Sequence, residues 1–333
     1  MLSQKNSRKI SVLSFVLFCG VMMIHTYNLE TYGIEPGRGM IGVFELYTNR
    51  LANKVCVPYF FVISGFLFFR NFDLALLMDK YKNRFCSVVI PYIVWNTLYY
   101  LFFVGIAKIP FMSGFINNAG KAEFSIMAYM DYVWNGYYVF GFLRELIWMI
   151  LCAPIWWLLL KRRKYYWPEP IIIALIILEM SAKNIFNINI YYVFGGYLGI
   201  NCCDLINKDN RKIAFAASIC FIGILVFSDV LADKYSVVYN CAFIFTSWLA
   251  MDLFSFSREI KWWMKCTFFY YCAHDVVLES IEKLILILFG RNQIMALIDY
   301  IVAPVFTLAI LISAAWLMKN HTRNIWKVLN GGR

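Results

Sequence analysis

Charge is scarce in this chain. Only 15% of its 333 residues are Asp, Glu, Lys or Arg, while 62% are hydrophobic. An ordinary soluble domain carries about 25% charged and about 45–50% apolar residues. Too few charges remain to coat a fold in water, so lipid is the expected solvent. Three histidines, spread along the chain, are too few for a metal centre. No C-x-x-C pair occurs among the ten cysteines, and most of them (Cys19, Cys86, Cys152, Cys220, Cys241 and Cys272 among these) sit inside apolar stretches. There a thiol acts as a small hydrophobe, and no disulfide framework is indicated. The absence of a G-x-G-x-x-G or Walker loop excludes the usual glycine-cradled nucleotide sites. No internal repeat is evident, which disfavours many transporter folds.

What is present is a series of long apolar runs. A helix needs about 20 mostly apolar residues to cross a hydrocarbon core of about 30 Å. Segments of that kind lie near 10–29, 54–70, 85–107, 142–160, 169–187, 188–206, 212–230, 236–254, 266–289 and 294–318. The first follows Lys5, Arg8 and Lys9. It exceeds a signal-peptide core and lacks a small-x-small cleavage site after it, so it reads as a retained span. The expected fold is an all-α integral membrane bundle of about ten transmembrane helices, a single multi-pass domain over residues 1–333 with spans from about 10 to 318. The outer loops near 30–53 and 108–141 are too short to fold alone.

The basic residues fit this arrangement. With the N-terminus inside, 21 of the 31 Lys and Arg residues fall in inner segments and 8 in outer ones, while Arg144 and Lys283 lie within spans. This is the positive-inside pattern. It accounts for the net charge of +11 without an acidic partner, and no nucleic acid is expected. Both termini are expected in the cytosol, with the protein in the cell inner membrane.

Ionisable side chains in lipid are expensive and need a reason. His25 lies about 22 Å up the first helix from Ile10, near the outer face. It reads either as an interfacial histidine bonded to a carbonyl or as a general base, because imidazole titrates near neutrality. Arg144 and Glu145 open the fourth span, also near the outer face. Arg144 is either a snorkelling side chain paired locally or a cation that steadies an oxygen near His25. The ninth span carries His274, Asp275, Glu279, Glu282 and Lys283. The last four share one side at i+3 and i+4 spacing, and the stripe must face protein or water. It serves ion-paired packing or the chemistry. The expected depths are mid-membrane for His274 and the level of His25 for Glu282. Lys80, Lys82 and Arg84 precede Ile90-Pro91-Tyr92 in an inner loop. Such a loop sets topology, and the same cations suit the phosphates of a cytosolic donor.

These residues lie in stretches that resemble, in order, the membrane-bound acyltransferase 3 family. The stretches are VMMIHTY ending near His25, FFVISGFLF at Phe60–Phe68, KYKNRFCSVVIPYIVW at Lys80–Trp95, GFLRELIWMILCAPI at Gly141–Ile155, FGGYLGI at Phe194–Ile200 and FFYYCAHDVVL at Phe268–Leu278. Ser14 stands where many members carry an arginine eleven positions before the histidine, and Gly141-Phe142 precede Leu143-Arg144 without the family's tryptophan. Arg8 and Lys9 lie nearer the cytosol. The resemblance implies a ten-helix enzyme that acylates surface or exported carbohydrates from acyl-CoA, usually acetyl-CoA. It implies a catalytic role for His25, a motif role for Arg144 and a donor-loop role for Lys80, Lys82 and Arg84.

On that basis the expected reaction is transfer of an acyl, most simply acetyl, group from acyl-CoA to a carbohydrate or glycolipid hydroxyl. His25 would be the general base, Glu282 would fix its tautomer by triad logic, and Arg144 would steady the oxyanion. The rival reading is a transporter or flippase of a glycan or lipid-linked intermediate, which would move substrate without consuming acyl-CoA. The charge split makes a direct prediction. A cysteine probe introduced beside Lys121 reacts with an impermeant reagent added from outside; reaction only from inside would overturn the orientation.

Overall fold

The computed structural model describes residues 3–107, 124–180, 189–207, 210–226, 236–254 and 259–332. Fifteen α-helices are described. They are α1 Gln4–His25, α2 Gly39–Phe69, α3 Leu77–Arg84, α4 Ile90–Ala107, α5 Ile126–Asn135, α6 Gly141–Leu151, α7 Ala153–Leu160, α8 Glu169–Met180, α9 Ile190–Asn201, α10 Cys203–Asn207, α11 Arg211–Val226, α12 Ser236–Ala250, α13 Thr267–Phe289, α14 Gln293–His321 and α15 Arg323–Leu329. Among the described residues there is no strand, only an isolated bridge between Arg163 and Tyr166.

Among the described residues, four helical stretches are long and apolar enough to cross a membrane: α1, α2, Leu74–Ile106 and α14. A fifth arises if the two segments Tyr138–Leu151 and Ala153–Leu160, bent by 63°, are one broken span. The bend has a covalent cause. Pro154 has no N–H and its ring crowds the carbonyl four residues back, which breaks the ladder at Cys152. The other expected spans are shorter helices, such as the 12 residues of α8 and of α9, or carry charge, as α13 does. The expected junction of the fifth and sixth spans, 184–189, lies almost wholly outside the described residues.

One boundary moves outward. The second span was expected to begin near 54, but α2 begins at Gly39 and runs for 31 residues. Between Gly39 and Pro58 nothing breaks a helix, and the stretch called an outer loop continues as helix instead. Near the N-terminal end of α1, Lys9 is fully buried. Its ammonium meets Asp252 Oδ1 at 3.1 Å and lies 3.9 Å from the centre of the Trp248 ring, and Lys5 reaches the same carboxylate at 3.3 Å. Lys9 is therefore spent on anchoring α1.

The tightest helix contact is between α2 and α9, and glycine makes it possible. A Cβ on Gly65 would sit 2.2 Å from the carbonyl oxygen of Tyr192, and one on Gly195 would sit 2.1 Å from that of Val62. The two backbones touch directly, as small residues allow in membrane helix pairs. This gives the S-G-F and F-G-G motifs a packing role. Gly65→Ala and Gly195→Ala should each cost about 1–3 kcal/mol through overpacking, read as a lower melting temperature in detergent. Gly105→Ala and Gly223→Ala, where a Cβ meets nothing within 4 Å, should leave it nearly unchanged.

Candidate active site

The site lies where the C-terminal end of α1 meets α13. His25 is the last residue of α1, and Thr26 closes the helix by donating its N–H to Met22 O at 3.0 Å. Edge-on and tilted ring contacts set the register of the two helices. Phe15 packs on Trp263 at 4.9 Å, Phe18 on Tyr270 at 5.9 Å and on His274 at 5.7 Å, and His25 on His274 at 5.0 Å.

This register corrects the expected depth. Residues 262–265 form a short 3-10 turn that packs beside Phe15, rather than a loop at the inner surface. Helix α13 therefore starts already well up α1. The carboxylate level with His25 is Asp275, whose Oδ1 is 3.8 Å from His25 Nδ1. Glu282, expected there, lies seven residues further, about 10 Å along the helix. Its Oε1 is buried without a hydrogen-bond partner. Glu279 and Lys283 pair with each other at 2.6 Å.

The surroundings of the pair are aromatic. Tyr138 meets the His25 ring edge-on at 5.5 Å, and Tyr137 stands near Asp275. The corner that carries both tyrosines is held from three sides. Tyr271 donates its hydroxyl to Val139 O, Asn96 Oδ1 accepts from Tyr137 N at 2.8 Å, and Tyr92 donates to Val133 O at 2.7 Å. His274 is fully buried. Its Nδ1 lies 2.7 Å from Tyr271 O. A carbonyl only accepts, so the proton is on Nδ1, and Nε2 is left as an unprotonated acceptor with no partner. Sequence reasoning missed Tyr137 and Tyr138. Their only signal was an aromatic pair in G-Y-Y-V-F just before the Arg144 segment.

Arg144 is not brought to His25 by any contact described here. Its Nη1 donates to Asn135 O at 2.6 Å. That carbonyl belongs to the last residue of α5, where a cation is favoured by the helix dipole. Arg144 thus pins the α5–α6 corner in which Tyr137 and Tyr138 sit. Its neighbour Glu145 accepts from Asn189 Nδ2 at 3.0 Å.

The three donor-loop cations also separate. Lys80 turns inward and donates to Phe68 O and, at 3.1 Å, to Arg70 O. It caps the end of α2. Arg84 lies 5.8 Å from the centre of the Phe68 ring, and Lys82 is exposed. Lys82 and Arg84 line a groove of about 320 Å³ with Tyr81, Phe85, Val89 and Ile147. Arg70, which sequence reasoning placed only in the topology count, stands beside Lys80 and has a buried Nη1 without an acceptor. An unpaired buried guanidinium nitrogen among cations suits an anion. Among the described residues, no group of three or more His, Cys, Asp or Glu is arranged to hold a metal ion.

With this geometry in place, comparison with known proteins gives one finding. The acyltransferase 3 family, described as an acyltransferase domain, matches residues 9–318. No curated protein and no solved structure matches.

Proposed function

The chain belongs to the acyltransferase 3 family, matched over residues 9–318, and on that premise we propose that it carries an acyl group, most simply acetyl, from acyl-CoA to a hydroxyl of a cell-surface or exported carbohydrate. In this reading the chain crosses the cell inner membrane ten times with both ends in the cytosol. The observation that carries the proposal is the contact of His25 with Asp275 at 3.8 Å, a base and a carboxylate side by side at the outer end of α1.

The chemistry follows from that pair. Asp275 faces Nδ1 and favours the tautomer that keeps the proton there, leaving Nε2 to act as base. Nε2 takes the proton from the acceptor hydroxyl as its oxygen attacks the thioester carbonyl. The C–O bond forms, the C–S bond breaks, and the proton passes to the departing thiolate. The distance of 3.8 Å exceeds a hydrogen bond; such contacts commonly tighten when substrate binds. Lys82, Arg84 and Arg70 supply positive charge for the donor's phosphates, while Lys80 fixes the loop against α2. Arg144 serves by holding Tyr138 against His25.

Two predictions test this. His25→Gln keeps size and hydrogen bonding but cannot serve as the base, and should lower acyl transfer by about 10²–10⁴ in protein that still folds. Asp275→Asn should give a smaller loss. Wild-type turnover of acetyl-CoA by His25→Gln would overturn the mechanism. The second concerns the donor. Neutralising Arg70, Lys82 and Arg84 together should raise the acetyl-CoA concentration needed for half-maximal rate more than that of the acceptor, once insertion has been verified. An unchanged donor dependence would leave these cations with topology alone.

A further inference from the structure

The segment after α14 packs back into the bundle, and its chemistry is that of two helix ends completing each other. Helix α15 ends in Leu329-Asn330-Gly331-Gly332. Gly332 N donates to Lys327 O at 2.6 Å and Gly331 N to Val328 O at 3.2 Å, with Gly331 at φ +65°. This is a Schellman close, in which glycine adopts the left-handed turn at least cost. The turn presents three groups inward. Leu329 O accepts from Trp95 Nε1 at 3.0 Å. Asn330, 2% exposed, accepts at Oδ1 from Phe269 N at 3.3 Å. Gly331 sits so close to Ser87 that a Cβ on it would lie 2.6 Å from the Ser87 carbonyl oxygen.

Each partner matters to the proposed site. Phe269 is in the first turn of α13, whose N-cap, Cys266, makes no side-chain cap. Asn330 supplies from elsewhere in the chain the acceptor that an N-cap side chain normally provides. Six residues on is Asp275. Ser87 lies in the π-helical turn Phe85–Val89 that follows Arg84. Its usual helical partner would be the N–H of residue 91, which is proline and has none. Trp95 lies on α4 between the two. Rings complete the seat, with Trp326 and Trp95 on Phe269 at 5.2 and 5.8 Å.

We propose that residues 323–332 form a latch that sets the position of the catalytic helix α13 and of the turn after the donor loop together, with Asn330 as the positioning residue for the first and Gly331 for the second. The kinetic part rests on the reading given under Proposed function; the structural part does not.

The experiment pairs hydrogen exchange with kinetics on the full chain in detergent. Asn330→Ala should speed exchange from Phe269 through Asp275, and Asn330→Asp, which keeps the acceptor, should restore it. Gly331→Ala should loosen 85–91 well beyond Gly332→Ala, which shares the positive φ but meets nothing within 4 Å. In turnover, Asn330→Ala should lower kcat several-fold with rescue by Asp, and Gly331→Ala should raise KM for acetyl-CoA several-fold. Faster exchange confined to Phe269, failure of Asp to rescue, or equal effects of the two glycine variants would overturn the latch. Spread of exchange as expected in a protein that consumes no acetyl-CoA would uphold the latch and refute the donor reading.

Discussion

Water is absent from the middle of a bilayer, so every carbonyl freed by a bend, a proline or a helix end must find a donor inside the protein. This chain meets that constraint with the tips of aromatic side chains. Tyr59 donates to Ile244 O, Tyr81 to Leu151 O, Tyr92 to Val133 O, Tyr99 to Cys272 O, Trp95 to Leu329 O and Trp157 to Phe72 O. Each ring buries apolar area along its length and satisfies one backbone group at its end. Four of these carbonyls, those of Leu151, Val133, Leu329 and Phe72, lie at or just beyond helix ends, and the bundle is tied at these irregular points.

Helix α4 shows how a short motif organises its neighbours. Tyr92, Trp95, Asn96 and Tyr99 follow the π-turn within ten residues and reach α5, α15, the tyrosine corner and α13 respectively. Tyr92, Trp95 and Tyr99 project from successive turns of one helix, so a displacement of α4 is felt at α5, at α15 and at Cys272 on α13. The glycine crossing of α2 and α9 supplies the complementary rigidity. With backbones in contact, α2 has no freedom to slide, and α1, packed along it, holds His25 at a fixed height.

The polar groups at the site differ from those that anchor the ends. Lys5 and Lys9 share the carboxylate of Asp252, and Glu279 meets Lys283. His25 and Asp275 stand 3.8 Å apart, and His274 keeps an unpartnered acceptor beside them. Other buried atoms, Glu282 Oε1, Arg70 Nη1 and both Glu45 oxygens among them, also lack a partner, so it is the facing imidazole and carboxylate, not the open acceptor alone, that sets His25 and Asp275 apart.

The sequence by itself determined the apolar, helical class and the family, because hydropathy, charge and ordered motifs are local properties of the chain, and it singled out His25 and the basic loop as candidates. It also marked α13 as facing protein, through the spacing of Asp275, Glu279, Glu282 and Lys283. What it did not determine was which carboxylate meets His25. Counting residues from the membrane edge assumed that every span starts at the same depth, and the turn at Trp262–Lys265 packs beside Phe15 instead. The direction of Arg144 and Lys80 was equally invisible. A long cation finds whichever carbonyl or anion lies within reach, and only tertiary packing decided that these were the ends of α5 and α2.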